Sequence, residues 1–304
     1  MSHWTPAPIP DQTGRTALIT GANGGVGLET AHVLAGRGAR VLLAGRSESR
    51  LAEAADAIRA AAPAAALESV VVDLSNLDFV REAAARVAQH ETIDLLINNA
   101  GVMNLPARTT TTDGFETTFG TNHLGHFALD AQLWPAVLRS RSARVVTVSA
   151  IASRWPSGKR RDLQSEGRYR PMGAYAKSKR ANVVYALELD RRARAAGRDV
   201  TSIVVHPGAA MTGLQRHGGS PVASVVTSLA ARLLMGSAEG AAWPSLYAAT
   251  GEEAVGGTFY GPAGRDQTSG APKPVNLPRG AADPEVGASL WVESERLTGV
   301  TFAV

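Results

Sequence analysis

The sequence predicts an α/β fold, a single domain built on a doubly wound parallel sheet of about seven strands. Three observations predict it. Short β-rich runs alternate with longer helical patterns along most of the 304 residues. The runs are continuously apolar rather than alternating, as in strands covered on both faces. No internal repeat or change of composition interrupts the pattern, so residues 1–304 read as one domain.

The elements follow in order. Residues 16–20 (TALIT) lead through a glycine-rich turn into a helix near 25–36. The run 40–44 (RVLLA) precedes a helix near 47–61, and 69–73 (SVVVD) one near 76–89. The run 93–97 (IDLLI) precedes a long helical stretch at 114–139, and 144–149 (RVVTVS) one at 173–196. The last pair is 201–206 (TSIVVH) and 238–250, followed by a seventh run at 257–260 (GTFY). Such alternation implies parallel strands joined by right-handed crossovers. The core is expected over 13–262. Two irregular regions, 150–172 and 209–236, follow strand C-terminal ends, where ligands lie in folds of this kind. The second turns amphipathic and reads as a lid over a substrate. The extension 263–304, rich in Pro and Gly, is expected to pack as an irregular strap.

Composition narrows the function classes. Hydrophobic residues make up 44% of the chain, enough for a sizeable core. There is no Cys, which excludes disulfides and thiolate metal sites and fits a reducing, cytoplasmic setting. The opening MSHWTPAPIP lacks the features of a secretory signal, and no apolar run is long enough for a membrane span. The net charge of +4 is concentrated in Lys159-Arg160-Arg161 with Arg168 and Arg170, and in RRARAAGR at 191–198. No aromatic residues are interleaved as stacking platforms, so these read as solvated faces and no nucleic-acid partner is expected.

The turn after the first strand carries Gly21, Asn23, Gly25, Val26 and Gly27. Glycines let backbone N–H groups approach a pyrophosphate, and the following helix offers its positive end to the same anion. The spacing departs from G-x-G-x-x-G, so its weight comes from its place between strand and helix. The second strand ends at Gly45-Arg46, where an acidic residue would accept from an adenosine ribose. Arg46 instead suits a 2′-phosphate, favouring NADP(H) over NAD(H). Asp73 and Leu74 are placed to meet the adenine edge, and Asn98-Asn99-Ala100-Gly101 closes the fourth strand beside the cofactor.

Tyr175 and Lys179 lie four residues apart and share one helical face. A phenol is a poor acid at neutral pH, with an unperturbed pKa of about 10. A neighbouring ammonium and a cationic nicotinamide would stabilise the phenolate and lower that value. Such a Tyr could then protonate a carbonyl oxygen as hydride arrives.

Taken together, Thr20-Gly21…Gly25-Val26-Gly27, Asn98-Asn99-Ala100-Gly101, Asn122, Tyr175…Lys179 and Pro207-Gly208…Thr212 resemble the short-chain dehydrogenase/reductase family, whose sheet is a Rossmann fold. The segment Asn122-His123-Leu124-Gly125-His126-Phe127 and Asp162-Leu163-Gln164 before Tyr175 look like its retinol-dehydrogenase-like branch. The resemblance implies Tyr175 as proton donor/acceptor and Lys179 as the residue that binds the nicotinamide ribose and tunes Tyr175. It implies that Asn122 kinks its helix and holds a relay water, and that Pro207, Gly208 and Thr212 contact the nicotinamide end. It also implies pairing of subunits into a homo-oligomer through the helices carrying Asn122 and Tyr175.

One family role is a serine that hydrogen-bonds the substrate oxygen. In this branch the fifth-strand motif usually ends in two serines, the second catalytic, and here that second position is Ala150. Ser149 could substitute only across a twist or bulge, because adjacent side chains point to opposite faces. Ser153 or a water are the alternatives. His123 and His126 read as structural, since no carboxylate falls at metal-ligand spacing. Trp134, Trp155 and Trp243 read as core or rim packing.

The expected activity is NADP(H)-dependent transfer of hydride to or from a small hydrophobic alcohol, aldehyde or ketone. The competing expectation, motivated by Ala150, is a nucleotide-binding homologue with lost or repurposed redox activity, such as a regulatory subunit or a non-redox cyclase.

Overall fold

The computed structural model describes residues 4–88, 92–155, 162–208 and 237–304. Its sheet is built from β1 (Thr16–Thr20), β2 (Arg40–Gly45), β3 (Leu67–Val71), β4 (Leu95–Asn98), β5 (Ala143–Val148), β6 (Val200–Val205), β7 (Phe259–Pro262) and β8 (Pro272–Pro274). The strand order is β3-β2-β1-β4-β5-β6-β7-β8, parallel up to β7, with β8 antiparallel on the edge. The chain winds outward from β1 in one direction and then returns to β4 for the other. That reversal leaves a crevice beyond the C-terminal ends of β1 and β4.

The helices are α1 (Gly25–Gly36), α2 (Glu48–Ala61), α3 (Leu77–Val87), α4 (Thr117–Phe119), α5 (Gly125–Val137), α6 (Pro171–Ala195), α7 (Ala238–Thr250) and α8 (Pro284–Thr298). The starts of α2, α3 and α7 are capped by Ser47, Asn76 and Ser237, whose side chains accept from otherwise unpaired backbone N–H groups. One face of the sheet packs Ile19, Val41, Leu43, Ile97 and Val205 against α1, α2 and α7. The other packs Leu18, Leu42, Leu96, Val145 and Val204 against α3, α5, α6 and α8. Burial on both faces explains why β1, β2, β4, β5 and β6 read as largely apolar runs, whereas β3 at the sheet edge exposes Glu68 and Ser69.

The structure corrects the expectation for the C-terminal extension. It holds β8 and the fifteen-residue helix α8, which Asp283 caps and Pro284 opens, and which Gly299 ends at φ 68°. Gly287, Leu290, Trp291, Ser294 and Thr298 are its buried residues, a helical spacing. Trp291 and Phe302 pack edge-on against Phe127 of α5, and Trp134 packs on Phe302. The extension therefore covers part of α5 and α6. Among the described residues no helix is long and apolar enough to cross a membrane. The expected lid at 209–236, Thr212 and the Lys159–Arg161 cluster lie outside the described residues.

Candidate active site

The cradle forms where β1 meets α1. Gly21 takes φ 69° and Gly25 φ 54°, a left-handed region that other residues enter at a cost. A Cβ on Gly27 would stand 2.5 Å from both the Gly21 carbonyl oxygen and Asn99 Nδ2, so only Gly lets α1 approach the turn. Asn99 supports the turn from beneath, donating from Nδ2 to the Thr20 carbonyl at 2.8 Å. The amides of Asn99 and Ala100 donate to Thr20 Oγ1 at 2.9 and 3.0 Å, binding the end of β4 to the end of β1. Arg46 is exposed just beyond β2, and Asn23 lies beside Gly45. Asp73 Oδ1 accepts from the Ser75 amide and hydroxyl, while Leu74 is buried beneath α5 at Gly125.

Catalytic candidates gather around Gly101. Gly120–Leu124 is a π-helical turn between α4 and α5, in which the Gly125 amide reaches back to the Gly120 carbonyl. It presents Asn122, whose Oδ1 accepts from the Val102 amide at 2.7 Å. Asn122 Nδ2 donates to the Val102 carbonyl and to Ser178 Oγ, both at 2.9 Å. A Cβ on Gly101 would stand 3.1 Å from Asn122 Oδ1 and 3.4 Å from Lys179 Nζ. Lys179 is buried and donates to the Val148 carbonyl at 2.9 Å. Burial pulls its pKa down to about 8.

Tyr175 stands one turn before Lys179 on α6, in an apolar patch of Ala152, Ala176, Ala150, Met103 and Met172. No hydrogen bond to another described residue engages its hydroxyl. Burial pushes its pKa up to about 12. This differs from the lowering expected from the sequence, because enclosure among apolar side chains disfavours the phenolate.

Ser149 does not face this patch. Its hydroxyl donates to the Lys179 carbonyl at 2.7 Å, and its amide continues the β5–β6 pairing to Val205. The donor expected of Ser149 toward a substrate thus meets a hydroxyl already committed to α6. The geometry follows from strand alternation: Ala150, one residue on, presents its methyl to Tyr175. Ser153 Oγ is buried and has no hydrogen-bond partner among the described residues.

The roof of the site is built from described parts of 102–110 and 162–170. Arg108 Nε donates to the Gln164 carbonyl at 3.0 Å, and Tyr169 donates to the Leu105 carbonyl at 3.0 Å. Lys177 ties the Asp162 carbonyl and Ser165 to α6. At the end of β6, Gly208 takes φ 79°, and a Cβ there would stand 2.3 Å from the Thr268 carbonyl oxygen. Trp155 is exposed near the site, whereas Trp134 and Trp243 pack elsewhere, against Phe302 and Trp4.

The chain has relatives among known proteins. Residues 15–221 match the family model described as short chain dehydrogenase. The chain belongs to the short-chain dehydrogenase family. Within it, this short-chain dehydrogenase falls in the retinol-dehydrogenase-like branch: it is 40% identical over 301 residues to retinol dehydrogenase 13 of Homo sapiens, covering 97% of this chain and 86% of the relative. It is 38% identical to polyprenol dehydrogenase of Mus musculus, over 97% of this chain and 87% of that one. Among solved structures, an uncharacterised protein from Mycobacterium paratuberculosis superposes with a TM-score of 0.81 at 38% identity, covering 100% of both chains. The RhlG/NADP active-site complex of Pseudomonas aeruginosa superposes with a TM-score of 0.66 at 25% identity, over 83% of this chain and 96% of that one.

Sequence reasoning missed several residues of this short-chain dehydrogenase's site. Ser178 and the Val102 backbone clasp Asn122, and the Thr20 hydroxyl gathers two cradle amides. Ser178 sits beside Lys179 in a motif already singled out, but nothing local marks its partner. His126, four residues after Asn122, shares its helical face, and that spacing was the available signal.

Proposed function

We propose that this short-chain dehydrogenase is a cytoplasmic NADP(H)-dependent oxidoreductase that reduces a hydrophobic ketone or aldehyde, or oxidises the matching alcohol. The observation that carries the reading is the unengaged Tyr175 hydroxyl in an apolar patch, on the same helix face as a buried Lys179. The residues fit the cofactor: Gly21 and Gly27 sit where a Cβ would collide with Asn99, Gly25 turns through a left-handed φ, Val26 lies in the first turn of α1, and Arg46 is exposed to meet a 2′-phosphate. Asn23, Asp73, Leu74, Asn99, Ala100, Gly101, Pro207, Gly208 and Thr212 complete the proposed binding set. When bound, the nicotinamide supplies or accepts the hydride.

The chain's own residues do the rest. Tyr175 donates its phenolic proton to the oxygen of the carbonyl, and burial keeps that proton in place until negative charge develops. Lys179, held by the Val148 carbonyl, lends positive charge that stabilises the phenolate left behind. Asn122, clasped by Val102 and Ser178, holds the turn against Gly101 and Lys179. Met103, Met172, Ala150 and Ala152 exclude water and favour an apolar substrate. The relatives' printed names, retinol and polyprenol dehydrogenase, support a lipophilic alcohol or carbonyl as substrate. Pairing through α5 and α6 would have to accommodate α8, which already covers part of both.

A second reading is favoured by one observation: Ala150 offers no hydroxyl and Ser149 is bonded to Lys179, which suits a nucleotide-binding homologue with impaired redox chemistry. Turnover of NADPH with a panel of hydrophobic aldehydes and ketones decides between them. The oxidoreductase reading expects consumption by the wild-type protein. NADPH binding without consumption, unrepaired by Ala150→Ser, establishes the second.

A further inference from the structure

We propose that His126 is a positioning residue, held with its proton on Nδ1, that ties the carbonyl of Asn122 to the root of the cofactor cradle. The proposal rests on the oxidoreductase reading for its kinetic consequence, but not for its structural one.

The hydrogen bonds fix the tautomer. His126 is buried and its Nδ1 lies 3.1 Å from the Asn122 carbonyl oxygen, which can only accept, so Nδ1 carries the proton. In a neutral ring Nε2 is then an acceptor. It lies 2.8 Å from Thr20 Oγ1, which must donate to it. Thr20 Oγ1 has one proton to give and two lone pairs, and the Asn99 and Ala100 amides fill those lone pairs. The alternative acceptor for the Thr20 proton, the Ile97 carbonyl, is farther away at 3.4 Å. Every donor finds an acceptor in only one arrangement: Asn99 and Ala100 N–H to Thr20 Oγ1, Thr20 O–H to His126 Nε2, His126 Nδ1–H to Asn122 O. Burial and the nearby Lys179 keep the ring neutral.

The two ends of this chain are functional places. At one end Thr20 closes β1, where the glycine turn begins and the β4 end is fastened. At the other, Asn122 lies in a π-helical turn, a departure from the regular α-helical ladder. The neighbouring His123 shows the contrast. Its Nε2 meets Ser294 Oγ at 2.9 Å, so it faces α8 and the aromatic core rather than the cleft. Two histidines three residues apart thus serve different partners, and only the second spans from cradle to Asn122.

Nitrogen-15 resonances of the imidazole test the tautomer, with or without catalytic activity. The expected result is a neutral His126 protonated at Nδ1, with its Nε2 resonance shifted in Thr20→Val, where the donor to Nε2 is lost, and unshifted in Thr20→Ser. A ring protonated at Nε2, or an imidazolium at neutral pH, overturns the proposal. The positioning role is read from NADPH affinity by fluorescence and from kcat at saturating cofactor. His126→Phe and Thr20→Val are expected to weaken NADPH binding tenfold or more. His126→Phe is expected to lower kcat at least tenfold, with no further loss when Asn122→Ala is added. Unchanged NADPH affinity, or losses in kcat that multiply in the double variant, overturns it. If His126→Phe does not fold, Thr20→Val carries the affinity test alone. If the wild-type protein consumes no NADPH, the oxidoreductase reading fails while tautomer and affinity still decide this one.

Discussion

Ser149 and Lys179 each send one hydrogen bond between β5 and α6. The Ser149 hydroxyl donates to the Lys179 carbonyl at 2.7 Å, and the Lys179 ammonium donates to the carbonyl of Val148, the residue before Ser149, at 2.9 Å. This clamp fastens the end of β5 to α6 one helical turn after Tyr175. It commits the Ser149 hydroxyl to α6 and leaves the methyl of Ala150 packed against the apolar patch around Tyr175.

The clamp separates two neighbouring substitutions. Ser149→Ala is expected to cost about 1 kcal/mol of stability by removing one buried hydrogen bond between β5 and α6, measurable by denaturant unfolding. Ala150→Ser adds a hydroxyl beside Tyr175 and is expected to raise kcat by on the order of a hundredfold, with little change in stability. A large kcat loss confined to Ser149→Ala would return the donor role to Ser149.

Arg46 sets the expected cofactor preference. Arg46→Ser removes a planar cation from the end of β2, and a charge-assisted hydrogen bond is worth about 1.5–3 kcal/mol. The Kd for NADPH is therefore expected to rise by roughly tenfold to a hundredfold while the Kd for NADH stays the same. Equal changes for both would show that Arg46 does not read the 2′-phosphate.

Gly208 has no room to change. Gly208→Ala places a methyl 2.3 Å from the Thr268 carbonyl oxygen at φ 79°. The expected result is a loss of more than about 1 kcal/mol in stability together with weaker NADPH binding, read by thermal unfolding with and without cofactor.

Acid should unfold the protein through its buried histidines. Burial lowers His123 and His206 to about 4 and His126 to about 3 from the ordinary 6.5. Their folded pKa values are depressed, so between about pH 4 and 6.5 the unfolded chain binds protons that the folded chain refuses, and stability is lost as pH falls. Asp130 has the opposite sign: burial raises it to about 7 from 3.8, so its contribution is lost as pH rises through that range. Three histidines against one carboxyl leave a net uptake of about two protons, or on the order of 3 kcal/mol per pH unit. The midpoint of urea unfolding is expected to fall steeply from pH 6.5 to 4.5, and Asp130→Asn should steepen it. A flat profile would contradict the burial of these rings.

Much of this was legible in the sequence, for physical reasons. Apolar runs located β1 to β7 to within two residues, and the glycine turn between β1 and α1 was legible because Gly enters the left-handed region without steric cost. The break at Asn122 was expected, and a π-helical turn is what forms there. Helix α8 was missed although Asp283, Pro284 and the Leu290/Trp291/Ser294 spacing signalled it, because the Pro- and Gly-rich residues before it masked the period. The orientation of the Ser149 hydroxyl was not legible, since it depends on a contact thirty residues away. The same holds for His126, whose partner at Thr20 lies across the sheet.

The central claim, that Tyr175 moves the proton while hydride crosses to carbon, is tested most directly by single-turnover reduction of an active aldehyde or ketone. Wild-type and Tyr175→Phe proteins are compared, each saturated with NADPH carrying deuterium at the transferred position. The account predicts a primary isotope effect in the wild-type protein, and at least a hundredfold slower hydride transfer in Tyr175→Phe with unchanged NADPH affinity. Hydride transfer at the wild-type rate in Tyr175→Phe would contradict it.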